Sequence, residues 1–184
     1  GASIALPMVK KRDVEKEIRA SDKPVVTLGT AADCRDCAAV EQVVAKLALE
    51  YPGIRFVMVD GPDFGVSADR MPAIATAVPK YSATSISRRF NVAPDGDLEA
   101  YLRARVEAVA KIAALDNEAR GLSEQTLVKL AALKTLYDDP KEEERLQRAD
   151  LAGQLADMMH RQSQIITEIG AIIKQEVRDS TVNQ

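Results

Sequence analysis

A short apolar run, Val25-Val-Thr-Leu28, ends in small residues and delivers a Cys-x-x-Cys pair, Cys34 and Cys37, onto the start of a helical pattern. A β-branched, apolar stretch of this length reads as a buried strand, here from Pro24 to Leu28. A strand that runs straight into a helix restricts the first half of the chain to an α/β sheet architecture. The placement also bears on chemistry. A helix N-terminus carries partial positive charge and unpaired N–H groups. A thiolate is an anion, so a cysteine seated there ionises more readily than a free one.

These are the only 2 cysteines in 184 residues. Their close spacing suits a redox pair, and it does not suit a small fold stapled by several disulfides. Hydrophobic residues make up 46% and charged residues 29%, which is ordinary for a globular chain. The formal charge of −3, with aromatics at only 4%, gives no basic surface or stacking platform for nucleic acid. No apolar run reaches the length of a membrane span. The chain starts Gly-Ala-Ser, so we expect a trimmed or processed beginning from which an address signal has been removed.

Composition shifts near Pro94-Asp95-Gly96, and a boundary is expected there, giving domains of residues 1–95 and 96–184. In the first, Asp13 to Ala20 reads as a helix with Val14 and Ile18 on one face. Cys37 to Tyr51 reads as a second helix, with Val40, Val43, Val44, Leu47 and Leu49 on its apolar side. Ile54 to Val59 reads as a second buried strand, closed by Asp60-Gly61-Pro62, and a third strand is expected over Lys80 to Ile86.

The second domain reads as helix almost throughout. One segment runs from about Asp97 to Ala119, Gly121 interrupts it, and Ser123 caps the next. Asp138-Asp139-Pro140 makes a turn. Asp139 is the expected N-cap of the last helix, with Pro140 at its first position and Glu142 completing a capping box. A last helix of about 40 residues extends roughly 60 Å, and the economical arrangement is a helical hairpin or a bent three-helix bundle. Leu151, Leu155, Met158, Ile165, Ile169 and Ile172 hold heptad-like positions, and Met159, Ile166 and Ile173 widen that stripe. Such width favours contact with more than one helix, within the chain or from another subunit.

The segment from Asp13 to Cys37 resembles the thioredoxin-like superfamily: helix, Ser21-Asp22-Lys23-Pro24, strand and Cys-x-x-Cys follow in that family's order. The resemblance extends through Ile54–Asp60 to Val78-Pro79 and covers about the first half of the chain. It implies a cis-proline about forty residues beyond the second cysteine, facing the pair. Val78-Pro79 is the candidate for that bond and for shaping the partner groove, with Pro72 as the alternative. Four features depart from the family. Asp33 stands where tryptophan is usual, Leu28 where a buried acid assists the second cysteine, and Lys80 where threonine is common. No clear final hairpin strand precedes the terminal helix. The first two departures argue against a general cytosolic reductant and leave room for a specialised oxidoreductase or a thioredoxin fold used as a platform.

In exchange chemistry Cys34 is the attacking residue and Cys37 the resolving one. Arg35 favours the Cys34 thiolate, whereas Asp33 and Asp36 disfavour it by like-charge repulsion. A structural or vestigial disulfide is the competing reading of the same pair. No cofactor is called for. No metal site is expected either, because His160 is the only histidine and suitably spaced ligands are not evident. Asp60 and Asp63 are explained by turn formation, and Glu142-Glu143-Glu144 by a helix's acidic first turn.

Two functions follow. The first is a thiol–disulfide oxidoreductase acting on a protein client, its helical arm serving oligomerisation or client binding. The second is a non-catalytic adaptor whose hairpin mediates protein–protein interaction. We expect a periplasmic location, with the cytoplasm as the alternative.

Overall fold

Three short strands carry the first half of the chain: β1 (Val25–Thr30), β2 (Arg55–Asp60) and β3 (Ala73–Ala77). The computed structural model describes residues 5–78, 88, 89 and 98–182. A fourth strand, β4 (Arg88–Arg89), completes a sheet of order β2-β1-β3-β4. β1 and β2 are parallel and joined by helix α1 (Cys37–Glu50), whereas β3 is antiparallel to both β1 and β4. Outside β2 the chain at Met8 adds a parallel bridge to Met58.

Register assigns the side chains to two faces. Val25 and Val57 lie on one face and pack with Val9, with Val14 and Ile18 partly buried against them. The expected first helix is realised there as a 3-10 turn (Lys11–Asp13) followed by a π-helical turn (Glu15–Arg19). Val26, Leu28, Phe56, Met58 and Ile74 lie on the other face and are all buried. α1 buries Val40, Val44 and Leu47, the stripe its sequence spacing dictates.

Two long helices follow, α2 (Leu98–Asp138) and α3 (Arg145–Val182). The described fold is thus an α/β sheet portion followed by a helical hairpin rather than three helices. The chain divides into two compact units, Gly1–Ala113 with Ile173–Gln184, and Ala114–Ile172. Both limits of this division fall inside the helices.

In the sheet unit, Leu102, Val106, Val109 and Ile112 are buried on α2. Lys46 of α1 bonds Glu99 at 2.7 Å, and Arg103 pairs with both Glu50 and Glu99. The hydrogen bond from Arg103 holds the Glu50 carboxyl below its usual pKa, and bonds from Lys46 and then Arg103 do the same for Glu99. Arg105 is buried, its Nη2 2.6 Å from Asp179 and its side chain 4.7 Å from the centre of the Tyr101 ring. Its Nε is 2.8 Å from Glu176, but the N–H is not aligned on that oxygen, so the contact is electrostatic.

In the helical unit, α2 and α3 run antiparallel, as shown by Glu118–Arg161, Ser123–Gln162 and Lys129–Gln154. Hydrogen bonding by Arg161 lowers the pKa of Glu118. Two expectations are corrected here. Gly121 does not interrupt α2: it costs about 1 kcal/mol against alanine, but cross-helix bonds at Glu118 and Ser123 hold the turns beside it. Nor does Asp139 cap the last helix. Glu142–Glu144 form a 3-10 turn after Lys141, and α3 begins at Arg145.

Candidate functional site

Cys34 and Cys37 are joined by a disulfide, with Cα atoms 5.5 Å apart. β1 ends at Thr30, a bend through residues 31–36 follows, and Cys37 is the first residue of α1. The Cys34 amide donates to the Ala31 carbonyl at 3.3 Å, which holds the bend closed. Asp36 occupies the N-cap position without a side-chain cap bond. The two sulfurs are not equivalent. Cys37 is buried at 7% exposure, whereas Cys34 is only partly buried.

The three charged neighbours sit as the spacing implies, and two of them offset each other. Arg35 lies 3.5 Å from Asp36 with its side chain 93% exposed, while Asp33 is exposed. The helix N-terminus and Asp33 remain as opposing influences on a Cys34 thiolate.

Val78 is buried, and it lines a small void with Thr76, Val109, Ile112 and Ile173, so it is a core residue. Pro79 lies outside the described residues, as does the third strand expected over 80–86. The cis peptide joins Met71 and Pro72, the alternative position. Gly29 pairs with Ala73 in the antiparallel register, which brings Met71-Pro72 beside the end of β1, where the chain departs for Cys34. Both residues are buried. Met71 packs its sulfur against Gly29 and Gly61, where an added Cβ would lie only 3.0 and 2.6 Å away. β3 follows at once, with burial alternating along Ala73–Ala77.

A parallel β1-α1-β2 unit with an antiparallel third strand, a disulfide at the strand-to-helix junction, and a cis-proline leading into that third strand meet in one place. The first half resembles the thioredoxin-like superfamily. No family model matches the chain, and no curated protein sequence matches it. Among solved structures, it is similar to oxidised mitochondrial thioredoxin 3 of Saccharomyces cerevisiae, with 23% identity over 40% of this chain and 74% of that one and a TM-score of 0.35. Chloroplastic thioredoxin z is similar at 13% identity over 48% and 84%, with a TM-score of 0.41. Thioredoxin f2 of Chlamydomonas reinhardtii is similar at 19% identity over 40% and 75%, with a TM-score of 0.36.

One departure from the thioredoxin-like pattern has physical content. Leu28 is fully buried and apolar, so at that position the side chain offers no proton acceptor. Asp60 precedes the 3-10 turn Gly61–Phe64 and Asp63 lies within it, and the turn ends on Gly65 at φ 75°. That is a turn's requirement for glycine. His160 lies exposed on α3, 3.3 Å from Gln164. Among the described residues no helix is long and apolar enough to cross a membrane.

Proposed function

We propose that the Cys34–Cys37 pair exchanges disulfides with a protein client. The asymmetry of the pair supports this: the first sulfur is partly exposed at a helix start and the second is buried behind it. A client thiolate attacks Cys34 Sγ, the Cys34–Cys37 bond breaks, and Cys37 leaves as the thiolate. The client's second thiolate then attacks the client sulfur of the mixed disulfide and releases Cys34. The client gains a disulfide and the pair takes up two electrons. In the reverse direction Cys34 attacks a client disulfide, and Cys37 resolves the mixed disulfide.

Burial of Leu28 supports a specialised role, since proton handling at Cys37 falls to solvent or client. The periplasm is the compartment we assign, because disulfides persist there. The adaptor reading draws on a different observation, the long exposed stretch of α2 and α3. The test is trapping. A Cys37→Ser variant should accumulate mixed disulfides through Cys34, and the Cys34→Ser variant should not. If neither traps a client and the wild-type chain does not accelerate exchange in a model dithiol peptide, the exchange reading fails.

A further inference from the structure

Two glycines at one end of the sheet are matched to one methionine. Gly29 lies in β1 one residue before its end, and Gly61 directly follows β2. Neither has a positive φ; among the described glycines Gly65 alone does. Backbone conformation therefore does not call for glycine at 29 or 61. Glycine weakens a strand, and within one it marks a place where another group comes close. Here that group is Met71. A Cβ at Gly61 would lie 2.6 Å from its Sδ and 2.7 Å from its Cε, and a Cβ at Gly29 would lie 3.0 Å from the same Sδ. The methionine, 8% exposed, is thus seated in a socket whose walls are two bare stretches of backbone. An unbranched side chain with three rotatable bonds suits such a slot.

The socket joins three chain ends beside the redox pair. β1 runs out past it toward Cys34, β2 ends at it, and β3 begins two residues beyond Met71. The Cys34 amide is tied back to this corner through the Ala31 carbonyl. Register sets Gly29 opposite Ala73 and Leu28 opposite Ile74. Side chains alternate along a strand, so Pro72, two residues before Ile74, falls on the face of Leu28. Met71 meanwhile grips the face of Gly29. We propose that Gly61 is a positioning residue for disulfide exchange, acting through Met71. The seat fixes where residues 71 and 72 stand against the bend that carries Cys34, and so the approach open to a client peptide. This proposal rests on the exchange reading given above. An added methyl at 61 must push the thioether aside by about 1 Å to reach ordinary contact distance. The displaced atoms are the far end of a flexible side chain, so the fold accommodates the shift. A peptide that needs the whole approach loses rate. A small dithiol that needs only the Cys34 sulfur does not.

The test compares two reductants on the full oxidised chain: a dithiol peptide and dithiothreitol. Each gives two electrons to the Cys34–Cys37 bond and becomes a disulfide itself. Gly61→Ala should lower the peptide rate at least about tenfold and leave the dithiothreitol rate within about twofold, since a small misplacement penalises only the substrate that must be oriented. Gly53→Ala, where an added Cβ meets nothing within 4 Å, should change neither rate. Met71→Ala should also slow the peptide. Adding Gly61→Ala to it should cost nothing more, because the methyl then has no thioether to displace. If Met71→Ala loses helicity by circular dichroism, Gly61→Ala decides alone through the contrast between the two reductants. Unchanged peptide exchange in Gly61→Ala, an equal loss with both reductants, or a further loss in the double variant would overturn the inference while exchange itself stands. A wild type that oxidises the peptide no faster than glutathione disulfide does would instead remove the exchange reading, and this inference with it.

Discussion

Among the described residues, the strands of the sheet unit cover their large aliphatic side chains, whereas the helical unit leaves several of its own in solvent. In the sheet unit Leu28, Leu47 and Leu102 are each at 0% exposure, whereas in the helical unit Leu127 is 69% exposed and Ile166 70%. The sheet supplies two faces that are covered from within the chain, so a small number of strands can bury every large apolar group they carry. A pair of helices has only the seam between them, and a wide apolar stripe overflows it. The helical unit carries apolar surface that its own partner helix does not cover.

The contrast is most severely tested at Arg105. Arg105→Ala removes a buried guanidinium that contacts Glu176 and Asp179, and we expect a loss of about 3–5 kcal/mol in urea unfolding. A loss under 1 kcal/mol would mean that the cluster is solvated and does not pin the end of α3. Truncation compares the units directly. Leu28→Ala should cost about 2–5 kcal/mol, while Ile166→Ala should stay within about 0.5 kcal/mol. Similar costs at both sites would erase the distinction. Gly121→Ala should instead stabilise by about 0.5–1 kcal/mol, since an added Cβ there meets nothing within 4 Å. A destabilised Gly121→Ala would show that the helix needs glycine at that turn.

The smallest effect is on pH dependence. Glu50 and Glu99 have folded pKa values below 4.5, so their stabilising contribution is present above that value and is lost as pH falls through the lowered ones. The stability gap between wild type and Arg103→Gln should therefore close on acidification below about pH 4.5. A gap that persists unchanged in acid would place the stabilisation elsewhere.

How far the sequence reaches also differs between the units. The strand at 24–28 and the helix from Cys37 were legible because β-branched residues and helical spacing agree with what each element buries. β3 was not. Ala73-Ile-Ala-Thr-Ala is poor in the residues that mark strands, and only its partner β1 makes it one. That also hid the role of Pro72, which reads as an isolated proline until β3 is placed immediately after it. In the helices, local signals at Gly121 and at Asp139-Pro140 pointed to breaks and caps that cross-helix bonding overrode or shifted. The site itself was legible as a pair of sulfurs at a strand-to-helix junction. Which sulfur is sheltered depends on the packing of α1 on the sheet, which motif spacing does not encode.

That inequality is directly measurable. After mild reduction, the folded chain is given a limiting pulse of iodoacetamide at neutral pH, and each cysteine's modification is read by peptide mass spectrometry. Cys34 should be alkylated several-fold faster than Cys37, with the difference abolished in denaturant. Equal rates in the folded chain, or faster labelling of Cys37, would contradict an exposed attacking sulfur backed by a buried resolving one.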